Sequence, residues 1–337
     1  MTDVRVREID PTDGTALRSW WEVGAASSAH DRAYDGWPSW DVARPLYSLP
    51  RTDLARRLLL ATKDSVVVGS GFLVLFLADN RHLAELDVQV HPDHRRRGVG
   101  RAVLAELERL AADDGRTAYV GSAYAPPGEG SPSTAFAEAS GYPVASREET
   151  KLLDLRTAPA SWGPLEAEVA AHLGGYRVVA FEDRVPEEWV PDFCDLLSAF
   201  MTMVPRGDLD VGAASWTPER LHEVEERTAA TGRRWLVAVG VTPGGGLCGF
   251  HELGVVAADP RVATVGGTLV LPGHRGHRIG LGMKLATHRR VLELFPDATS
   301  VVTSNAGVNA AMNAVNEALG YRVVEQALDV QKRVRPS

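Results

Sequence analysis

The sequence predicts an α/β (α+β) fold built twice along one chain, and three observations carry that reading. Pro92-Asp-His-Arg-Arg-Arg-Gly-Val-Gly100 recurs as Pro272-Gly-His-Arg-Gly-His-Arg-Ile-Gly280, so Pro92, His94, Arg95 and Gly100 each meet their own residue type 180 positions later. Each copy follows a strand-like run and opens a helix-like one. The ends of the copies also match: Gly141-Tyr-Pro-Val answers Gly320-Tyr-Arg-Val, and Val4–Ile9 answers Tyr176–Phe181. Agreement at start, middle and end implies duplication. The expected domains are 1–156 and 175–337, joined by a turn-rich linker over 157–174 that holds a short helix near Leu165–Leu173. A chain of 337 residues is long enough for two such domains, each with its own core.

In chain order, the first copy reads as a strand (Val4–Ile9), helices at Thr15–Ala29 and Asp53–Leu60, and strands at Ser65–Phe76 and Ala84–Val90. The basic turn and its helix (Val99–Ala112), a strand (Thr117–Gly121), a helix ending in Gly-Tyr and a last strand complete it. The second copy reads as a strand at Tyr176–Phe181, helices at Glu187–Phe200 and Pro218–Ala230, and strands at Trp235–Val241, Gly246–Val256 and Ala263–Leu271. Its turn, helix (Ile279–Leu294), strand (Thr299–Thr303) and Gly-Tyr helix follow in the same order. Pro243-Gly-Gly-Gly246 is a hairpin turn, because a strand follows it. Strands with interspersed helices give a mixed sheet.

Composition bounds the function. With 45% hydrophobic and 24% charged residues the chain reads as an ordinary soluble globular protein. No apolar run reaches the roughly 18 residues that span a bilayer, and the polar start Met1-Thr-Asp-Val-Arg is no signal peptide. Two cysteines, Cys194 and Cys248, are too few for a disulfide framework, so a cytoplasmic location is expected. A net charge of −8 argues against broad nucleic-acid binding and mildly favours cationic small substrates.

The repeated turn is an anion cradle by its chemistry. Glycines let backbone approach a phosphate, the helix N-terminus offers unpaired N–H groups, and arginines add charge. A dinucleotide fingerprint is excluded, since Gly98-Val-Gly-Arg-Ala-Val lacks its third small residue and no acid follows in Ala118–Ser122. A P-loop is excluded because the chain has no Gly-Lys pair. His274 and His277 lack an apparent third ligand, so no metal is expected. Glu85 and Asp87 share one strand face by the period of two.

Arg95-x-x-Gly98-x-Gly100 after a Val-x-Val-x-Pro strand end, with helices ending Ala137–Tyr142 and Asn316–Tyr321, resembles the GNAT superfamily of N-acetyltransferases. The resemblance covers nearly the whole chain. It implies two GNAT-like domains in tandem, each a mixed, mostly antiparallel twisted sheet flanked by helices. It also implies an acetyl-CoA-dependent N-acetyltransferase acting on the primary amine of a small molecule by direct attack on the thioester. The donor would be held by Val88, Gln89, Val90 and the turn Arg95, Arg96, Arg97, Gly98, Val99, Gly100 and Arg101. The second copy offers Val270, Arg275, His277, Arg278 and Gly280, with Arg278 where the first has Gly98.

The same resemblance sets Glu85 and Asp87 beside the amine as proton acceptors, against the reading of a solvated strand face. Their expected counterparts, Val265 and Gly267, carry no acid, which makes the first copy the expected catalytic one. Family members often carry a tyrosine as general acid four residues before the Gly of the last helix. Ala137 and Asn316 stand there instead, leaving Tyr124 or solvent for that role. Asn305, Asn309, Asn313 and Asn316 are spaced along one helical face. Asn305 and Asn309 bind the donor on one reading, and supply a helix cap and polar packing on the other. Acceptor contacts are expected from Tyr34 and Trp37 and, in the second copy, Asp208 and Asp210. The other functions kept open are a CoA-binding regulatory or scaffold protein and a protein or peptide N-acetyltransferase. A homodimer is an open possibility.

Overall fold

The computed structural model describes residues 4–34, 36–212 and 214–334. It contains two compact units. The first comprises the chain through Glu148, Arg206–Gly212 and the chain from Val324; the second comprises Glu149–Pro205 and Ala213–Val323. The expected boundaries at 156 and 175 follow sequence repetition, whereas these units differ from them at both closing strands.

The first unit begins with β1 (Arg5–Ile9), α1 (Gly14–Asp31), α2 (Trp40–Ser48), β2 (Leu54–Lys63), β3 (Val66–Phe76) and β4 (Leu83–Val90). Then come α3 (Val99–Asp113), β5 (Ala118–Ala125), α4 (Pro132–Ala139) and the start of β6 (Val144–Asp154). Its sheet runs β1-β2-β3-β4-β5-β12, where β12 is Arg322–Arg333 and pairs antiparallel with β5. Neighbours from β1 to β4 are antiparallel, and β4 with β5 is the parallel pair.

The second unit takes the rest of β6, then α5 (Trp162–His172), β7 (Arg177–Glu182), α6 (Val190–Met203), α7 (Pro218–Ala230), β8 (Arg233–Val241) and β9 (Leu247–Val256). β10 (Asp259–Val270), α8 (Ile279–Leu294), β11 (Ser300–Ala306) and α9 (Ala310–Leu319) complete it, with strand order β6-β11-β10-β9-β8-β7.

Helix boundaries follow local chemistry. Asp13 caps α1 by accepting from the Thr15 and Ala16 N–H groups, and Thr217 caps α7 through the Arg220 N–H. In α3, Val99, Val103, Leu107 and Leu110 recur at helical spacing and are buried with Leu59, Leu73 and Leu86 on one sheet face. Leu17 and Trp20 of α1 cover Leu58 and Leu60 on the other face.

That two-sided burial corrects one expected element: Asp53–Leu60 is not a helix but most of β2. Leu58, Leu59, Leu60 and Ala61 are all buried, alternately against the two helical layers. A run apolar at every position has no period, so it fits a strand sandwiched between helices as well as a helix. The helix expected there is α2, whose start at Trp40 lies 13 residues before Asp53. Each fully buried leucine of the run contributes about 1.5–3 kcal/mol. The second unit repeats this sandwich, with Leu281, Leu285 and Val291 of α8 on one face and Phe193 and Leu197 of α6 with Leu221 of α7 on the other.

Candidate active site

Two features of the first unit create a cleft. Parallel pairing of β4 with β5 covers only Leu83–Glu85 against Ala118–Val120, after which the strands separate. At the parting point Gly121 is required, since a Cβ there would lie 2.8 Å from the Leu86 carbonyl oxygen. Beyond it, the β5-facing backbone edge of Val88, Gln89 and Val90 borders an open wedge, while the other edge pairs with β3 through Gly69↔Val90.

The basic turn closes the end of this wedge. Arg95 donates from Nε to the Val90 carbonyl oxygen (3.3 Å) and from Nη2 to Ser27 Oγ (3.2 Å), which fixes the turn to the strand and to α1. Arg96 and Gly98 both have left-handed backbones (φ 60° and 84°), and α3 begins at Val99 without a side-chain cap. Alternating left-handed residues turn successive N–H groups toward one point, and the first helical N–H groups have no acceptor within the helix. Gly100 lets α3 pack closely on Phe136, since a Cβ there would lie 3.3 Å from its ring.

The second unit repeats the backbone with its glycine moved. Gly276 (φ 90°) stands at the first left-handed position and Arg278 (φ 56°) at the second, while Arg275 Nε donates to the Val270 oxygen (3.1 Å). Arg278 therefore does not change the turn's shape, and its guanidinium is held by Glu168 at 2.5 Å. His277 stacks on Tyr176 at 4.7 Å, and His274 Nδ1 is 2.9 Å from the Tyr176 hydroxyl. Among the described residues no three His, Cys, Asp or Glu side chains stand together as a metal site.

On the α1–α2 face of the first unit, Asp87 is half-buried and Glu85, two residues earlier on the same strand face, is exposed to solvent. Asp87 sits opposite Phe72 and Glu85 opposite Val74 on β3. Desolvation by the protein around it, then the neighbouring Asp87 and Asp329 charges, raises the Glu85 carboxyl above its ordinary range. Burial likewise raises Asp87, against the opposing hydrogen bond from Gln89 Nε2 (3.0 Å) and the Arg32 charge. Tyr47 and Arg56 act electrostatically on Glu85 or Asp87 from α2 and β2.

Nearby, Arg32 makes two hydrogen bonds to Glu325 (3.0 and 2.6 Å) and lies 3.5 Å over the Tyr124 ring. Burial raises the Tyr124 hydroxyl, so it keeps its proton. Tyr34 contributes to the field around Arg32. Trp37 instead packs inward, 5.5 Å from Trp20, over Gly24, where a Cβ would overlap its ring.

Asp208 and Asp210 lie in the first unit, apart from these carboxylates. The Asp208 N–H donates to Ala145, and Asp210 meets His82 (3.5 Å) and Arg333 (3.4 Å) at the end of β4 remote from the turn. A groove of about 620 Å³ bordered by Glu138, Tyr142, Arg147, Leu328 and Val330 lies on the other sheet face.

The asparagines divide. Asn309 is the N-cap of α9, accepting from the Met312 N–H, and Asn305 stands on β11 rather than on the helix. Lys151 Nζ donates to Asn305 and Asn313 (3.0 and 2.9 Å) and pairs with Glu149, and Asn316 Nδ2 donates to Asn305. Arg32, Tyr47, Glu325 and Asp329 escaped sequence reasoning. Arg32 and Glu325 are 293 positions apart, and no local pattern signals such a pair.

With this geometry in place, comparison with known proteins becomes informative. Residues 21–142 match the model of the acetyltransferase (GNAT) family. A tandem GNAT protein from the clavulanic acid biosynthesis pathway superposes with TM-score 0.80 at 24% identity, covering 99% of this chain and 100% of that one. The chain has the tandem GNAT fold. A GCN5-related N-acetyltransferase from Sphaerobacter thermophilus aligns at TM-score 0.68 and 15% identity, over 99% and 96% of the two chains. The glucosamine N-acetyltransferase region of a fungal GH3 β-N-acetylglucosaminidase aligns at 0.66 and 13%, over 98% of this chain and 38% of that one. No curated sequence matches this chain. No described helix is long and apolar enough to cross a membrane.

Proposed function

We propose that this protein is a tandem GNAT N-acetyltransferase whose first unit moves an acetyl group from acetyl-CoA to the primary amine of a small molecule. The observation that carries the reading is the Glu85–Asp87 pair on one strand face, beside the wedge where β4 and β5 part. The N–H groups converging at Arg96–Arg101 suit the CoA pyrophosphate, and the open edge of Val88–Val90 suits the amide-rich pantetheine arm. The ammonium gives a proton to Asp87 or Glu85, the freed lone pair attacks the thioester carbonyl, and the C–S bond breaks. Tyr124 keeps its proton and is suited to protonate the departing thiolate. Holding both reactants in the cleft supplies much of the acceleration by orientation alone.

Three neighbouring carboxylates (Glu85, Asp87 and Asp329) favour a cationic acceptor, with Tyr34 close by. A cytoplasmic location fits the paired-down cysteine content, with both cysteines free and buried. The test is release of CoA thiol from acetyl-CoA with a panel of small amines, alongside calorimetric binding of CoA. Turnover that falls in Asp87→Asn and Glu85→Gln supports the reading. CoA binding without turnover of any amine would replace it with a CoA-binding regulatory role.

A further inference from the structure

The second unit has no acid on β10 at the places of Glu85 and Asp87, yet it carries one nearby by another route. Register shows where the match lies. Parallel pairing in the first unit joins Leu83–Glu85 to Ala118–Val120, and in the second Val262–Thr264 to Ser300–Val302. Thr264 is therefore the counterpart of Glu85, and Val265 matches Leu86 on the face packed by the motif helix. The extra residue is Gly266, a bulge in β10 between Val265 and Gly267. After it the copies fall into step again, with Gly267 at the place of Asp87.

Across from these residues the two sheets exchange roles. Asp87 pairs with Phe72 on β3, whereas Gly267 pairs with Glu252 on β9. Glu252 leans over the bulge, and a Cβ on Gly266 would lie 2.8 Å from its Oε1 and 3.2 Å from its Cγ and Cδ. The longer side chain thus reaches from the neighbouring strand toward the ground that Asp87 holds in the first unit. It is half-buried, so a ligand can reach it, and Trp235 Nε1 donates to its Oε2 at 3.0 Å. Phe200 and Phe250 stand 3.2–3.3 Å from where a Gly267 Cβ would be.

We propose that the second unit is a second acetyl-transfer centre in which Glu252, reaching across Gly266, accepts the proton of the amine. This rests on acetyl-CoA being the donor, as above, with the turn Arg275–Gly280 holding it. The ammonium N–H bond breaks and its proton passes to the Glu252 carboxylate. The nitrogen lone pair forms the C–N bond as the C–S bond breaks, and the nitrogen's surplus proton leaves with the thiolate as CoA thiol. Burial raises the Glu252 carboxyl to about 7, opposed by Trp235 and Arg233, which suits a base working near neutral pH. Trp235 and Phe200, both half-buried, select a primary amine on an aromatic body, for which tyramine is the probe.

The experiment uses the full chain carrying Glu85→Gln with Asp87→Asn, so that both first-unit acceptors are removed, with and without Glu252→Gln. CoA release with tyramine is followed from pH 5.5 to 9. The expected result is residual turnover in the Glu85→Gln, Asp87→Asn chain that falls at least tenfold on adding Glu252→Gln. The acid limb near pH 7 should vanish with it, while the KM for acetyl-CoA stays unchanged. Gly266→Ala, which displaces the carboxylate without deleting it, should act in the same direction. Equal turnover with and without Glu252→Gln overturns the proposal, as does no turnover in the Glu85→Gln, Asp87→Asn chain from an active wild type. An inactive wild type with every amine overturns the first-unit reading as well, so the two failures are distinguishable.

Discussion

Lys284 offers the sharpest energetic test of this structure. It lies fully buried on α8, its Nζ has no hydrogen-bond partner among the described residues, and its surroundings repel charge. Lys151 from β6 adds like charge, while His251 from β9 and His288 from α8 stand close enough to feel the ammonium. The Tyr321 ring, 5.4 Å away, is the compensating contact. Burial first, then Lys151, pushes the amine from 10.5 to about 7. Below pH 7 both folded and unfolded chains carry the proton, so the whole penalty of about 4–5 kcal/mol is felt. Between 7 and 10.5 the unfolded chain still holds a proton that the folded chain has released, so stability rises with pH.

At pH 9 about 2 kcal/mol of that penalty is left. Lys284→Met keeps the volume and removes the charge. The variant should therefore be more stable than wild type by several kcal/mol at pH 6, with the advantage shrinking by about 2–3 kcal/mol at pH 9. Urea unfolding followed by tryptophan fluorescence reads this, with Trp162 beside His288 (5.9 Å) as the reporter. A variant no more stable at pH 6, or an advantage that does not change with pH, would refute the reasoning.

Other predictions follow from the first unit. Asp87→Asn and Glu85→Gln should lower kcat about 100- to 10,000-fold between them, with KM for acetyl-CoA little changed, in a thiol-release assay. Because both carboxyls are raised, wild-type activity should fall with acid at a higher pH than for ordinary carboxylates, and a pH–rate profile locates that limb. Arg32→Ala strands Glu325, whose side chain is only 3% exposed, and should cost about 3–5 kcal/mol in urea unfolding. An Arg32→Ala, Glu325→Leu double variant should recover much of that loss. Gly98→Ala forces a Cβ into φ 84° and should cost about 1–2 kcal/mol while weakening CoA binding measured by calorimetry.

Several misreadings have a common cause, which is that a side chain's partner is set by register and not by spacing. Asp53–Leu60 looked helical because Leu58, Leu59 and Leu60 gave no period to follow; burial on both faces makes it β2. Asn305 fitted a helical spacing with Asn309 and Asn313, yet β11 carries it, and its side chain joins Asn313 to Lys151. Val265 seemed the partner of Glu85 until the bulge at Gly266 moved that role to Thr264. Asp208 and Asp210 had the right charge for an amine but are drawn to Ala145, His82 and Arg333.

The duplication, the strand–turn–helix with its glycines and arginines, and the carboxylate pair of β4 were all readable from the residues alone. Each is a local pattern, legible because glycine conformation, helix polarity and strand alternation act within a few residues. Only the tertiary structure decided where the wedge opens, that Arg32 is tied to Glu325, and that Glu252 crosses a bulge toward the place left by a missing aspartate. Those depend on strands meeting at one register, and a single inserted glycine shifts every residue on one side of it.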